Sequence, residues 1–264
     1  MRTRTKVATL LTTFVLLGLA AGGLGYVAHS QQPEARTEID TMQEVYDLAP
    51  GGSVCIETIY GDVHVGTWEG PGLWLETRKA ELKSDSVLPW RNVERDSTEI
   101  QAYLNAMELE VTRERDAIHF KTRHPGDGRN ILGALHYALH VPAHTAVTID
   151  TVVGDIVCDT LDGALTAATV EGNVHVGDVT GAVEIHAVDG DVSVEDVHAG
   201  LSVDTFDGDV SVAISDDVFL REGVACATVH GDIDVTLPNE TDLNDDKPSL
   251  DLASVDGSIY IHSS

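Results

Sequence analysis

The sequence predicts an all-β protein built as a parallel β-solenoid, and three observations carry that expectation. Gly154, Gly172, Gly190 and Gly208 recur at a fixed step of eighteen residues, each opening a phrase of one kind: GDIVC, GNVHV, GDVSV, GDVSV. Gly163, Gly181 and the Ala199-Gly200 pair fall midway, so the unit is nine residues and two nines make a coil. Apolar residues then recur at positions two, four and seven: Gly172 leads Val174, Val176 and Val179, and Gly181 leads Val183, Ile185 and Val188. A period this regular marks a stacked architecture.

Positions two and four share one face of a strand, and the step of three to position seven implies a bend before the next Gly. Each nine is thus a short strand plus a corner. Two nines per eighteen-residue coil give a two-sided solenoid with parallel neighbours. A three-sided helix also fits eighteen residues, but it gives no repeat at nine and ranks second.

The chain divides into four stretches. Residues 1–30 carry Arg2, Arg4 and Lys6 ahead of an uncharged run from Ala8 to Ala28. They read as a signal peptide cut to leave Gln31 first, or, uncut, as an N-terminal membrane anchor. Residues 31–50 are polar and acidic and read as a linker. Residues 51–144 form a less regular β region: Gly52 and Gly61 lead two nines, and then the pattern loosens. Within that stretch Leu73-Trp74-Leu75 and Leu135–Val141 read as strands and Leu109–Thr122 as a hairpin. Asp96–Met107 reads as a short helix with Asp96 as its cap and Glu99 three residues on. This region is expected to cover one end of the solenoid, whose open edge would otherwise template aggregation. Residues 145–264 are regular repeats, with insertions at Asp217–Arg221 and Glu240–Lys247 expected on one edge.

The formal net charge is −28, and three of the 16 Lys and Arg residues lie in the N-terminal segment. From Gly133 onward the basic residues are Arg221 and Lys247 alone. Such a surface repels phosphate backbones and anionic headgroups, which excludes nucleic acid as a partner and limits membrane contact to an uncut N-terminus. Aromatics make up 5% of the chain, so the core is expected to be thin and aliphatic. Cys55, Cys158 and Cys226 are odd in number and match no metal-binding spacing; Cys158 and Cys226 read as small buried strand residues. His136, His140 and His144 are four apart, but the alternation around them is that of a strand. Residues four apart on a strand are separated by roughly 13 Å, too far to share an ion.

The stretches APGGSVCIETIYGDVHVGTW and ALHYALHVPAHTAVTIDTVVGDIVC, with the trailing copies of VxGDVxV, resemble a bacterial putative-adhesin family with β-strand repeats. That family is made of exported domains of otherwise unknown function, and the resemblance covers most of Leu48–Ser264. It implies a cell-envelope location and supplies no catalytic residues to carry over.

The corners between strands concentrate acids: Glu171-Gly172-Asn173, Asp189-Gly190-Asp191, Asp207-Gly208-Asp209. Stacking brings equivalent residues to about 4.8 Å, so Asp189, Asp191, Asp207 and Asp209 are the candidate ligands of a Ca²⁺ ladder. Asp beside Gly is also ordinary turn chemistry that needs no ion, and the GGxGxD run of calcium-binding β-rolls is absent. Apart from Ca²⁺, no cofactor is expected. Phe219 and Arg221, on the first insertion, are the candidate contact residues of an interaction edge.

The reading is a non-enzymatic structural and interaction protein of the cell envelope, adhesin-like, exported to the periplasm or cell surface, whose partner is an envelope protein or a glycan. Two rivals remain at this stage. One is a carbohydrate-active β-helix enzyme using clustered Asp residues, which lacks a Lys or Arg in the repeats to hold an acidic sugar. The other is an envelope-stress accessory anchored at the inner membrane.

Overall fold

The computed structural model describes residues 35–70, 72–82, 97–126, 131–214, 223–237 and 250–263. In chain order the first elements are β1 (Ala35–Tyr46), β2 (Ser53–Tyr60), β3 (Val63–Thr67), β4 (Leu73–Leu82), helix α1 (Ser97–Ala106), β5 (Glu108–Arg113), β6 (Ala117–Arg123) and β7 (Gly133–Val141). The repeats supply β8 (Ala146–Val153), β9 (Ile156–Leu161), β10 (Leu165–Glu171), β11 (Val174–Val179), β12 (Val183–Asp189) and β13 (Val192–Val197). They continue as β14 (Leu201–Asp204), β15 (Val210–Ala213), β16 (Val224–His230), β17 (Ile233–Leu237), β18 (Leu250–Asp256) and β19 (Ile259–Ser263).

The strands form two sheets, one of ten in the order β1-β4-β7-β3-β9-β11-β13-β15-β17-β19 and one of nine in the order β18-β16-β14-β12-β10-β8-β2-β6-β5. From β6 onward successive strands alternate between the sheets, and neighbours within the stack are parallel, so the expected two-sided solenoid is what the chain builds. Its eighteen-residue period is visible in the register, where Val174 faces Ile156 on one side and Val192 on the other. Coil β2–β3 stacks directly on β8–β9, with Val54 opposite Val147 and Val63 opposite Ile156. Coil β6–β7 lies beneath β2–β3, with Val54 opposite Ile118 and Val63 opposite Tyr137.

The Gly column has a steric cause. Gly172 adopts φ +147°, and a Cβ built there would lie 2.2 Å from the carbonyl oxygen of Gly154 in the preceding coil. Gly190, Gly208 and Gly231 each meet the same obstacle at 2.1 Å. At the base of the column Gly61 stacks on the carbonyl of Leu135. Beneath Leu135 lies antiparallel β4 and no further coil, so a side chain is accommodated there.

The two nines bury different positions. In the ten-stranded sheet Val174, Val176 and Val179 point inward, the expected two, four and seven. The chain bends at Gly177, where a Cβ would meet the Asp159 carbonyl oxygen at 2.2 Å. In the nine-stranded sheet alternation runs unbroken, and the third inward position is six. It is occupied by Thr58, Thr122, Thr151, Thr169, Thr205 and Thr228, all buried, while Val170 and Val188 at position seven are only half-buried. Two of them, Thr169 and Thr228, and Ser254 at the same position serve the corner. Thr169 donates its hydroxyl to the Gly154 carbonyl at 3.3 Å, Thr228 to that of Gly208 at 3.1 Å, and Ser254 to that of Gly231 at 3.0 Å.

The N-terminal region closes one end with antiparallel strands. β4 runs against β7, β5 against β6, and β1 against β4. Helix α1 matches the expected one and buries Ile100 and Leu104. Residues 35–46, expected within a linker, instead form the edge strand β1. Composition concealed it because its partner is tertiary; the buried Tyr46 ends the strand and the buried Leu48 follows it. The Tyr46 ring meets Phe120 edge-on at 5.2 Å and carries the Arg113 guanidinium on its face.

Gly172→Ala is expected to destabilise the fold by at least about 3 kcal/mol, because the new methyl group clashes with backbone that cannot turn away. Gly126→Ala is the control: φ is +83° there too, but nothing lies within 4 Å of the added carbon. Denaturant midpoints should therefore separate the two variants clearly, with the control costing about 1 kcal/mol.

Candidate functional site

The acidic corner forms a continuous hydrogen-bonded column. The Oδ1 of Asp155 accepts the backbone N–H of Asn173 at 2.7 Å, that of Asn173 accepts Asp191 N–H at 2.9 Å, and that of Asp191 accepts Asp209 N–H at 2.9 Å. The series extends through Asp209 to the Asp232 N–H and through Asp232 to the Ser258 N–H, each at 2.7 Å. At the base, Asp62 serves the Asp155 N–H at 3.0 Å, and the Asp62 N–H is held by His136. Each position-one side chain thus caps the backbone of the next coil, and Asn173 does so without charge.

Asp189 and Asp207, one residue before the Gly, face each other as a parallel bridge. Burial, then the neighbouring Asp207 and Asp191, push the Asp189 carboxyl above the usual carboxylate range. Burial and Asp189 do the same to Glu171. A Ca²⁺ ion on this column would be held by the oxygens left over from the backbone bonds. Such binding would give a higher melting temperature in millimolar Ca²⁺ than in chelator at constant ionic strength. Phe219 and Arg221 lie outside the described residues, as does the whole of both insertions.

A second constellation was not read from the sequence. On the outer face of the nine-stranded sheet, Cys55 and Glu57 of β2 stand beside His119 and Lys121 of β6, paired Cys55 to His119 and Glu57 to Lys121. On the other side Asp150 of β8 pairs with Glu57. The ligand atoms of Cys55, Glu57 and His119 lie within 4.8 Å of one another, the one such grouping of metal-type ligands among the described residues. Glu57 binds Lys121 through Oε2 and approaches His119 Nε2 through Oε1 at 3.1 Å. The Lys121 hydrogen bond holds the Glu57 carboxyl below its ordinary range. Burial, Asp150 and Glu57 push the Cys55 thiol up to about 11. A signal existed: with Asp116 in the Gly place, His119 falls at position three of its nine, as Cys55 does.

Of the three histidines spaced four apart, His136 and His140 lie on β7, whereas His144 sits in the turn beyond it at φ 60°. His136 pairs with Asp62 at 3.1 Å, His140 packs against the Trp74 ring at 5.1 Å, and His144 pairs with Asp162 at 3.1 Å. His64 reaches Asp159 at 2.6 Å, and His175 lies 3.8 Å from Glu195. The three cysteines are free, with Cys158 and Cys226 buried in the core.

Two outcomes are expected at the column. Asp191→Ala removes the acceptor for the Asp209 N–H and costs about 1 kcal/mol, whereas Asp191→Asn, which copies Asn173, is close to neutral. For pH, the raised carboxyls of Glu171 and Asp189 bind protons more tightly folded than unfolded, so stability rises as pH falls from neutral through their folded values. In Asp62 burial acts upward, but the hydrogen bonds from His136 and the Asp155 backbone hold its carboxyl low overall. Its contribution, and that of Glu57, is lost only below the ordinary carboxylate range near about pH 4. Melting temperature should therefore climb on mild acidification and then fall, and Asp189→Asn should flatten the climb.

Comparison with known proteins places the repeats. Residues 145–254 match the family model described as Toastrack DUF4097. No curated protein matches the chain. Among solved structures, a "putative cell adhesion protein" from Clostridium sporogenes is similar at 8% identity and TM-score 0.41, covering 86% of this chain and 100% of the other. A "putative adhesin" from Bacteroides fragilis is similar at 13% identity and TM-score 0.44, over 89% and 100%. A "putative lipid binding protein" from Parabacteroides distasonis follows at 10% and 0.35, over 85% and 97%. The likeness to the Toastrack DUF4097 family model thus lies in residues 145–254, the coils whose Gly, Thr and Asx columns are described above.

Proposed function

We propose that the protein is a non-enzymatic structural and interaction module of the cell envelope, adhesin-like, which presents a stiff acidic solenoid to an envelope protein or a glycan. The observation that carries this reading is the pair of long sheets whose strands keep constant register from β8 onward, so that outward positions repeat at the strand spacing of about 4.8 Å. A surface of equivalent side chains at fixed spacing suits many weak contacts made together, and stacking supplies the stiffness that keeps them aligned. In this reading the chain is exported and works in the periplasm or at the cell surface. Among the described residues no helix is long and apolar enough to cross a membrane. The N-terminal basic and apolar segment lies outside the described residues.

Phe219 and Arg221 are assigned the role of contact residues on the insertion edge, an aromatic ring and a cation being the common anchors of recognition surfaces. Immobilised mature protein should retain envelope glycans or cells of the source, and Phe219→Ala with Arg221→Ala should cut retention by about tenfold. Turnover of a neutral or acidic glycan, abolished by changing a single Asp, would replace this reading with that of an enzyme. N-terminal sequencing of the protein from its native cell should find Gln31 first; an intact N-terminus would make it a membrane-anchored accessory instead.

A further inference from the structure

Cys55, Glu57 and His119 bring together a thiol, a carboxylate and an imidazole on the open face of the nine-stranded sheet. Their arrangement follows from strand geometry. Cys55 and His119 are direct partners across the parallel pair β2–β6, and Glu57 follows two residues on, on the same face. His119 Nε2 is sealed from water yet has no hydrogen-bond partner, since its 3.1 Å approach to Glu57 Oε1 lies off the ring N–H direction. Glu57 uses Oε2 for Lys121, so Oε1 is left facing the other two groups. Asp150, across from Glu57 on β8, adds negative charge to the same spot.

We propose that Cys55 Sγ, Glu57 Oε1 and His119 Nε2 form a Zn²⁺ site of three protein ligands, with a fourth position open to water or to a donor from outside. Borderline sulfur and nitrogen ligands select Zn²⁺ over the hard cations that carboxylates alone would take. Bonds of about 2.0–2.3 Å put tetrahedral ligand atoms roughly 3.3–3.8 Å apart. The present mutual separations of up to 4.8 Å close to that range with small side-chain rotations. On binding, the Cys55 thiol gives its proton to solvent and the sulfur donates its electron pair to the ion. Lys121 stays on the other oxygen of Glu57, outside the ligand set. The ion ties β2 to β6, segments whose paired residues are 64 apart in the chain, and so fastens the two lowest coils of the stack.

Titration of the folded, metal-free chain with Co²⁺, as a coloured substitute, tests the site directly. One equivalent should bring up a near-ultraviolet thiolate-to-metal absorption, and Zn²⁺ should abolish it and shield Cys55 from alkylation by a maleimide. Cys55→Ser should remove the band, and His119→Gln and Glu57→Gln should each weaken Zn²⁺ binding by at least about tenfold. Lys121→Met leaves all three ligands in place, removes the competing ammonium, and should bind Zn²⁺ at least as tightly as the parent. Circular dichroism confirms that each variant keeps its strands. Cys158 and Cys226, being buried, cannot supply the band. Absence of a thiolate band, or Zn²⁺ binding left unchanged by Cys55→Ser and His119→Gln, would overturn the assignment and leave only diffuse binding to surface acids.

Discussion

Everything in this solenoid turns on the space beside one carbonyl group. Where the chain leaves the nine-stranded sheet for the ten-stranded one, the corner of each coil sits so close to the corner below that the Cβ position is filled by backbone oxygen. Only Gly fits, and that choice fixes the register of both sheets at once. The same carbonyl is the acceptor for a Thr or Ser hydroxyl from the next coil, and the residue after the Gly caps the next coil's backbone N–H. Three columns, of Gly, Thr and Asx, are thus one device seen from the backbone, the core and the surface.

The parts of this device were unequally legible in the sequence. The Gly residues and the apolar positions two and four announced a two-sided solenoid, because only a nine-residue unit with parallel stacking explains both. The Thr column was hidden because position seven is also apolar and drew attention from position six; Val170 and Val188 look like core residues and are half-buried. β1 was concealed because an acidic edge strand has no periodicity of its own beyond what β4 imposes. Cys55 and His119 became neighbours through the pairing of β2 with β6, which no local pattern states once Asp116 has replaced the marker Gly. The acidic corner was legible as a column, but not its hydrogen bonds, which require knowing that Oδ1 of each residue faces forward along the stack.

The charge of the chain acquires a local meaning on the outer faces. Nine of the eleven described histidines lie within 4 Å of a carboxylate, commonly on an adjacent strand. In a region almost free of Lys and Arg, imidazole is the group at hand to offset stacked acids. As a neutral ring it offers a hydrogen bond, and as a cation an ion pair. A surface with a formal charge of −28 therefore meets its stacked acids with imidazole rings.

The order of coils in space differs from their order in the chain, and this shapes how the molecule can form. The first coil to be synthesised, β2–β3, ends up between β6–β7 and β8–β9, so its two neighbours come from residues about 64 and 93 positions further on. Closing such loops costs entropy before any contact repays it. From β10 onward each new coil finds its template nearby, eighteen residues back up to β15, then 23 and 26 for the last two coils, and addition becomes a short, repetitive step. Folding thus divides into a slow foundation and a fast zipper that runs one way, from the closed end outward. A chain emerging N-terminus first holds one side of its first coil uncovered until residues near 150 have arrived.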